Sequence, residues 1–289
     1  MSISIIKKEI KKTFTRCADT HKGDYGRIFV LAGSPGMTGA AALVCNGALR
    51  SGAGLITLGI PKSLNSIMEV KLTEVMTQPL PETREGTVAL KAFNEIMPLL
   101  KNQDVLAIGP GLSQHPETKR LIRKLILHCP IPLVLDADAL NALVEYTEML
   151  AKIKSFVIIT PHPKEFSRLF RVPISKVQQK RKDFALHYAL KYNITIVLKG
   201  HKTIVAHKKR SFVNTTGNPG LATGGSGDIL TGIIASFIGQ GIDPFRASQY
   251  AVCVHGYAAD LAVKDKTPIS LIPSDLLDYL PRVFKTCGL

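Results

Sequence analysis

The chain has 289 residues, of which 45% are hydrophobic and 20% charged, and its net charge is +15. This length and composition suit one large α/β domain and exclude an intrinsically disordered chain. No apolar run reaches the roughly 18 residues of a membrane-spanning helix, so we expect no membrane partner. Aromatic residues make up only 6% and Trp is absent. We therefore expect no nucleic-acid partner and interpret the basic charge as a solvated surface that would also attract a polyphosphate.

The five cysteines are scattered along the chain and never form a CxxC pair. This arrangement argues against a disulfide framework and a zinc site, and it favours a reducing compartment. The first residues, MSISIIKKEIKKTF, lack the uninterrupted apolar stretch of a secretory signal. We interpret them as a surface helix, with an organelle-targeting segment as the alternative, and we expect a cytoplasmic protein.

Short β-branched runs alternate with longer helical patterns along the chain. Because these runs are apolar on both faces, they are typical of a mainly parallel sheet with helices on both faces. Two shorter runs, at 203–206 and 211–214, are joined by basic residues and predict a hairpin. In chain order the sequence predicts strands at 27–33, 54–60, 104–109, 132–137, 155–160 and 194–200, and helices at 40–51, 88–100, 116–128, 175–191, 229–240 and 244–264.

Several predicted strands end in Gly, Pro, Asp, His or Lys. In sheets of this kind ligands gather beyond the carboxyl ends of the strands, so these ends predict one shared site. The first of them, GSPGMTGAA at 33–41, has evenly spaced glycines, and the next strand does not end in an acidic residue. The segment therefore lacks the dinucleotide-binding fingerprint. We interpret it as a substrate-binding turn, with a plain tight connection as the alternative.

Two further strand ends carry groups that could bind a metal or a ligand. LDADALN places Asp136 and Asp138 at a strand end with Asn141 one turn later. These carboxylates could hold Mg²⁺ through water, although Asp138 could equally cap the following helix. TPHPKE places His162 between two prolines, where ligand contact is favoured over a place in the core. Glu165 could lie in the first turn of a helix, where the helix dipole favours a carboxylate, or it could bind a metal.

The segment GGSGD precedes a helical apolar pattern and so lies at a predicted helix N-terminus. Glycines let backbone N–H groups approach an anion closely, and the helix dipole favours a negative charge there. The segment is not a Walker loop, since G-x4-G-K-[ST] does not occur in the chain. Asp228 could cap this helix or take a proton from an attacking hydroxyl. In LKGHKT, Lys199 is a candidate phosphate partner, with an ordinary surface lysine as the alternative.

Seven motifs closely resemble those of the ADP/ATP-dependent NAD(P)H-hydrate dehydratase family of the ribokinase-like superfamily: GMTGAA, RSGAG, GPGL, LDADALN, TPHPKEF, LKG and GNPGLATGGSGDILTG. They extend from about Gly26 to about Ala262. The resemblance implies a ribokinase-like three-layer sandwich and a single domain over 1–289. It also implies a repair reaction, in which the S epimer of hydrated NADH or NADPH is phosphorylated on its hydroxyl and phosphate is then eliminated to restore the ring.

The resemblance also implies roles for individual residues. Asp228 falls at the catalytic aspartate of the family and would also contact the substrate. The hydrate would be bound by Ala41, Gly111 and His162, and Glu165 falls at a metal-linked position that implies Mg²⁺. The adenine nucleotide, ADP or ATP, would be bound by Lys199, Gly200, His201, Lys202, Thr203, Gly224, Gly225, Ser226 and Gly227.

The family resemblance leaves other expectations and alternatives. It suggests a homotetramer, and an NAD(P)H-hydrate epimerase as a functional partner, since the epimerase domain fused in some members is not found within these 289 residues. The chain has Ser113 and Lys164 where the family often has glycine. A small-alcohol kinase of the same superfamily, acting on a vitamin precursor such as hydroxyethylthiazole, is the alternative function. A non-catalytic nucleotide sensor or nucleic-acid binder is the alternative of a different class.

Overall fold

The computed structural model describes residues 3–289, with side chains from Ile6 onward. Within that range the strands form one sheet of nine in the order β3-β2-β1-β4-β5-β6-β7-β8-β9. β1 to β7 are parallel, and β8 and β9 add an antiparallel hairpin. The strands, in numerical order, are Arg27–Leu31, Leu55–Pro61, Met76–Leu80, Val105–Ile108, Leu133–Leu135, Val157–Ile159, Thr195–Leu198, Ile204–His207 and Arg210–Val213.

Helices cover both faces of the sheet, because the strand side chains alternate between two apolar clusters. In β1, Ile28 and Val30 pack with α2, α10, α11 and α12, whereas Phe29 and Leu31 pack on the opposite face with α4, α5, α6, α7 and α9. This three-layer arrangement confirms the predicted fold class. Helices α1 to α12 are Ile3–Phe14, Thr38–Arg50, Asn65–Lys71, Phe93–Leu100, Pro116–His128, Asp138–Leu143, Pro163–Phe170, Ile174–Gln179, Arg181–Tyr192, Ser226–Gly239, Pro244–Asp265 and Pro273–Thr286.

Three parts of the sequence prediction differ from the structure. The helix predicted at 88–100 begins only at Phe93, since Val88 forms a β-bridge and Leu90–Ala92 is a 3-10 turn. The helix predicted at 175–191 is divided at Lys180, which has a non-helical ψ of 44°. Strand β3 and helices α3 and α12 were not predicted. Helix α1 is a surface helix, as expected, and its inner face buries Ile6 and Ile10.

Helices α2 and α10 touch backbone to backbone, which positions the first turn of α10. A Cβ atom on Gly232 would lie 2.1 Å from the carbonyl oxygen of Val44, and one on Gly47 would lie 2.8 Å from that of Ile229. Only glycine permits this approach. The contact fixes α10 relative to the loop that joins β1 to α2, so the 33–41 turn and the GGSGD segment share one rigid frame.

No helix in the described chain is both long enough and apolar enough to cross a membrane. Cys45 and Cys253 are buried within helices α2 and α11.

Candidate functional site at the carboxyl edge of the sheet

Asp136 and Lys199 meet at the carboxyl edge, although they are far apart in the sequence. Asp136 follows β5 and is only 1% exposed, and Lys199 follows β7. The Lys199 ammonium donates to Asp136 Oδ1 at 2.7 Å, and the Thr231 hydroxyl of α10 donates to Asp136 Oδ2 at 2.8 Å. In this arrangement Asp136 is the partner of Lys199 rather than the free metal ligand that the sequence allowed.

Asp138 holds a neighbouring loop in place. It lies in the first turn of α6, whose N-cap residue is Ala137. Its carboxylate accepts the backbone N–H of Ser113 at 2.9 Å, the Asn141 amide at 3.1 Å and the Gln114 amide. The structure therefore gives Asp138 and Asn141 a structural role in fixing the loop after β4.

His162 is the N-cap residue of α7. Its Nδ1 accepts the backbone N–H groups of Lys164 and Glu165 at 3.1 and 3.2 Å. Burial, followed by the charges of Lys199 and Arg168, lowers the pKa of His162 below its ordinary value, so the ring is neutral at pH 7. With Nδ1 accepting, the proton of the neutral ring lies on Nε2, and only that nitrogen can donate to a ligand. Lys164 takes part in this cap through its backbone N–H, so its side chain is not needed for the bond to His162.

Glu165 completes a capping box with His162. Its Oε2 accepts the His162 backbone N–H at 2.8 Å, and its Oε1 lies 3.5 Å from His162 Nε2. Burial raises the pKa of this carboxyl group, with Lys199 acting in the opposite direction. Within residues 3–289 no three His, Cys, Asp or Glu side chains form a group that could hold a metal ion. A single carboxylate fits Mg²⁺ only where phosphate oxygens and water supply the remaining ligands.

The glycine-rich segment, residues 214–227, is anchored to α11 by polar side chains. Asn214 and Thr216 donate to backbone carbonyls of that helix at 3.0 and 3.1 Å. Asp260 of α11 accepts the Gly217 N–H at 2.9 Å and the Asn218 amide at 3.1 Å. These bonds hold the segment in one conformation while its later glycines stay open at the sheet edge.

The N-terminus of α10 has no side-chain cap. Its N-cap residue is Gly225, with φ of +98°, and a Cβ atom on Gly224 would meet nothing within 4 Å. Among the described residues, the N–H groups of Gly224, Gly225 and Gly227 have no hydrogen-bond acceptor. Unpaired N–H groups at a helix start form an anion-binding site. The predicted location of GGSGD at a helix N-terminus is thus confirmed.

Ser226 points away from this opening toward His255 of α11. The Ser226 hydroxyl lies 3.2 Å from His255 Nε2, which also lies 3.0 Å from the Ser226 carbonyl oxygen. Burial lowers the pKa of His255 to about 4, so this imidazole is neutral and its Nε2–H donates to the carbonyl. The backbone N–H of Ser226 is also engaged, since it donates to the Thr223 carbonyl at 3.3 Å. Nothing in the sequence marks His255, which lies within an ordinary helical pattern.

Asp228 lies in the first turn of α10, where its carboxylate receives no hydrogen bond from the part of the chain that the structure describes. Gly225, not Asp228, is the N-cap residue, so the cap interpretation is not what the structure shows. Burial raises the pKa of Asp228 to about 7, the charges of Asp136 and Glu165 add to this, and Lys199 opposes it. A carboxylate with a pKa near 7 is suited to general-base catalysis at neutral pH.

The predicted nucleotide segment, residues 199–203, turns sharply after β7. Gly200 has φ of +131°, and the Thr203 hydroxyl donates to its carbonyl at 2.9 Å. His201 and Lys202 are exposed at the tip of the turn. The Arg181 guanidinium of α9 donates to the backbone carbonyls of Leu198, Lys199 and His201, which holds the turn in place. The sequence did not single out Arg181, since nothing local marks it.

Ala41 and Gly111 lie where the loop after β4 meets the start of α2. Gly111 has φ of +64°, and a Cβ atom there would lie 2.8 Å from Met37 Cβ and 3.1 Å from Ala40 Cβ. The side chain of Ala41 is fully buried. Gly111 is buried as well, so neither the Ala41 methyl group nor Gly111 is exposed in this structure.

The chain matches the family model described as NAD(P)H-hydrate dehydratase over residues 28–282. It belongs to the NAD(P)H-hydrate dehydratase family. The ADP-dependent (S)-NAD(P)H-hydrate dehydratase of Bacillus subtilis is 36% identical over 271 residues, which cover 93% of each chain. The bifunctional NAD(P)H-hydrate repair enzyme of Moorella thermoacetica is 43% identical, over 93% of this chain but 51% of that protein. The chain thus spans about half the length of the bifunctional relatives that it matches.

Solved structures of this family share the fold. The crystal structure of the ADP/ATP-dependent NAD(P)H-hydrate dehydratase of B. subtilis, co-crystallised with ATP and Mg²⁺, superimposes with a TM-score of 0.81 at 33% identity, covering 97% of both chains. A ribokinase-like superfamily protein from Enterococcus faecalis gives a TM-score of 0.83 at 27% identity, covering 99% of this chain and 95% of that one. The family and the ribokinase-like fold that the motifs predict are both confirmed. The small-alcohol kinase alternative is not favoured.

Proposed function

We propose that this dehydratase-family protein restores NADH or NADPH from the S epimer of its hydrate at the expense of ADP or ATP. The observation that carries the proposal is the pairing of Asp228, whose pKa is raised to about 7, with an uncapped helix N-terminus beside the Lys199 ammonium. A base and an anion-binding site that lie together suit the phosphorylation of a hydroxyl group.

In the proposed reaction, the Asp228 carboxylate takes the proton of the hydrate's hydroxyl group as that oxygen forms a bond to the terminal phosphorus of the nucleotide. The bond from that phosphorus to the nucleotide's bridging oxygen breaks. In the second step the carbon–oxygen bond breaks, phosphate leaves, and the neighbouring ring carbon loses a proton to restore the double bond. The free N–H groups of Gly224, Gly225 and Gly227 bind the charge of the transferring group.

Glu165 would hold Mg²⁺ together with phosphate oxygens, and the ion would neutralise phosphate charge. The donor set fits this group, because the buried Glu165 uses Oε2 in the cap while its Oε1 receives no hydrogen bond from the described residues, and Asp136 is engaged by Lys199 and Thr231. On the substrate side, the Nε2–H of His162 would donate to the hydrate, and the backbone near Ala41 and Gly111 would line its site.

The remaining assignments follow the same family. The turn from Lys199 through Thr203, with Gly200, His201 and Lys202, would bind the adenine nucleotide together with Gly224, Gly225, Ser226 and Gly227. The chain would act as a single domain over 1–289 in the cytoplasm, supplied with the S epimer by an NAD(P)H-hydrate epimerase. A homotetramer is consistent with the apolar surface near the β3 edge, where Val70 is 88% exposed and Ile67 and Met76 are about half exposed.

The test is to incubate the purified protein with Mg²⁺, NADH hydrate and either ADP or ATP, and to follow the return of the reduced-nicotinamide absorbance. Recovery with either nucleotide supports the proposal and identifies the donor. A folded protein that binds adenine nucleotide but restores no NADH would contradict it and would favour the small-alcohol kinase. Size-exclusion chromatography with light scattering tests the homotetramer separately.

A further inference from the structure

The Lys199 ammonium is held by a buried network that spans two strand ends and a helix. Asp136 follows β5, Lys199 follows β7, and Thr231 belongs to α10. Both carboxylate oxygens of Asp136 are engaged, Oδ1 by Lys199 at 2.7 Å and Oδ2 by Thr231 at 2.8 Å. The side chains of Asp136 and Lys199 are 1% and 19% exposed, so the pair is largely shielded from water but not closed to a ligand.

This network places the ammonium at the open end of α10. A Cβ atom built on Gly227 would lie 3.1 Å from the Lys199 Nζ and 3.9 Å from Asp136 Oδ2. The positive charge therefore occupies the space where a side chain of the first helical turn would lie. Thr231 lies one turn beyond Asp228 on the same helix, so the bond from Thr231 to Asp136 also fixes the ammonium relative to the proposed base.

A lysine side chain without such a partner has several rotatable bonds, and it must be ordered when it binds a phosphate. In this protein the 2.7 Å hydrogen bond to the buried Asp136 carboxylate orders the Lys199 side chain before a phosphate binds. Burial alone would lower the pKa of Lys199, but the charges of Asp136, Glu165 and Asp228 keep it above its ordinary value. The ammonium is thus charged at neutral pH.

We propose that Asp136 is a positioning residue. It holds the Lys199 ammonium beside the first turn of α10, where the ammonium contacts the β-phosphate of ADP or the β- and γ-phosphates of ATP. The inference rests on the proposed function for the identity of the nucleotide. It gives Asp136 a task other than metal ligation, and it gives the fully buried Thr231, which acts through Asp136, a part in phosphate recognition.

The test compares the affinities for ADP and AMP by isothermal titration calorimetry in the presence of Mg²⁺. AMP lacks the phosphate that the ammonium would meet, so the ratio of the two dissociation constants reports the position of Lys199. We expect Asp136→Asn, which keeps the size of the side chain, to weaken ADP binding by about 10- to 100-fold and AMP binding by less than about twofold. Thr231→Val keeps the charge of Asp136 and is expected to weaken ADP binding by only about two- to fivefold.

A double-mutant cycle with Lys199→Met separates positioning from a general loss of structure. If Asp136 acts through Lys199, the double variant binds ADP no more weakly than Lys199→Met alone. The matched control is Asp138→Asn, which loosens the loop at Ser113 and is expected to leave the ratio of ADP to AMP affinity unchanged. Thermal melting of each variant shows that the protein compared is folded.

Three results would overturn the inference: an Asp136→Asn variant with wild-type ADP affinity, equal losses for ADP and AMP, or additive effects of Asp136→Asn and Lys199→Met. None of these depends on turnover. If the wild-type protein restores no NADH from its hydrate while Asp136→Asn still changes the ratio of ADP to AMP affinity, the proposed reaction would be contradicted and the role of Asp136 would stand.

Discussion

Two helix N-termini face the same edge of the sheet, and they are built in opposite ways. Helix α7 begins with His162 as its cap, followed by Pro163, and Glu165 closes a capping box by accepting the His162 N–H. Helix α10 begins with Gly225, which has no side chain to offer. Glu165 and Asp228 occupy the same third position of their helices, and burial raises the pKa of both carboxyl groups.

The difference shows which helix end is left for a ligand. At α7 the protein's own side chains satisfy the first N–H groups, and the carboxylate at the third position is used in the cap. At α10 glycines leave N–H groups and the carboxylate of Asp228 without partners in the described chain. These groups are exposed or half-buried, so a ligand can reach them, and unpaired N–H groups at a helix start favour an anion.

The largest expected effect is the pH dependence of the reaction. Asp228 acts as a base only when ionised, and with a pKa of about 7 its ionised fraction falls about tenfold for each pH unit below 7. We expect kcat/KM for the hydrate to rise about 50-fold from pH 5 to pH 7 and about twofold more above pH 7 before it levels off. A stopped-flow profile with saturating nucleotide measures this. A profile that is flat from pH 5 to pH 8 would instead indicate a carboxylate with an ordinary pKa.

The next effect tests whether the open end of α10 binds the nucleotide. The Gly224→Ala substitution adds a Cβ atom that meets nothing in the protein. We therefore expect unchanged thermal stability but roughly tenfold weaker ADP binding, since a bare backbone is needed for close approach of a phosphate. Gly39→Ala, whose Cβ atom also meets nothing within 4 Å, is the matched control at the start of α2. Equal ADP affinity in both variants would place the nucleotide elsewhere.

A smaller effect separates the capping role of His162 at α7 from its proposed contact with the substrate. His162→Ala removes the acceptor for two N–H groups and should destabilise the protein by about 1 kcal/mol. His162→Asn keeps a capping acceptor and should retain most of that stability. Both variants lose the Nε2–H donor, so both should show a raised KM for the hydrate. Urea unfolding and steady-state kinetics measure the two effects, and a normal KM in His162→Asn would remove His162 from the substrate site.

The smallest effect concerns a strained residue in the neighbouring loop. Ser113 has φ of +84°, in the left-handed region where glycine is favoured, and its hydroxyl accepts the His115 N–H at 3.1 Å. Ser113→Gly loses that bond but relieves the strain, whereas Ser113→Ala loses the bond and keeps the strain. The glycine variant should be more stable than the alanine variant by about 1 kcal/mol in urea unfolding. Equal stabilities would mean that the loop carries no strain at this position.

The sequence predicted those features that depend on local pattern. Runs of β-branched residues predicted the central strands, and the glycines followed by an apolar helical pattern predicted the start of α10. Strand β3 was not predicted, because this edge strand contains Gln78 and Pro79 and is only partly buried. The helix expected at 88–100 begins late, because Val88 pairs with Glu82 in a β-bridge.

The partners within the site could not be predicted, because they depend on contacts between distant parts of the chain. The bond between Asp136 and Lys199 joins residues 63 positions apart, and the bond between Asp136 and Thr231 joins residues 95 apart. Nothing in LDADALN distinguishes a carboxylate that pairs with lysine from one that holds a metal. Likewise, the cap formed by His162 is visible only once the backbone of α7 is known.

The most direct measurement of the account's central claim is single-turnover dehydration of NADH hydrate by Asp228→Asn, with ADP affinity measured on the same sample. The asparagine keeps the shape of the side chain but cannot take a proton. We predict a rate lower by about 10²- to 10⁴-fold with ADP binding within about threefold of wild type, since the free N–H groups of α10 and Lys199 remain. A near-normal rate would contradict the assignment of Asp228 as the base.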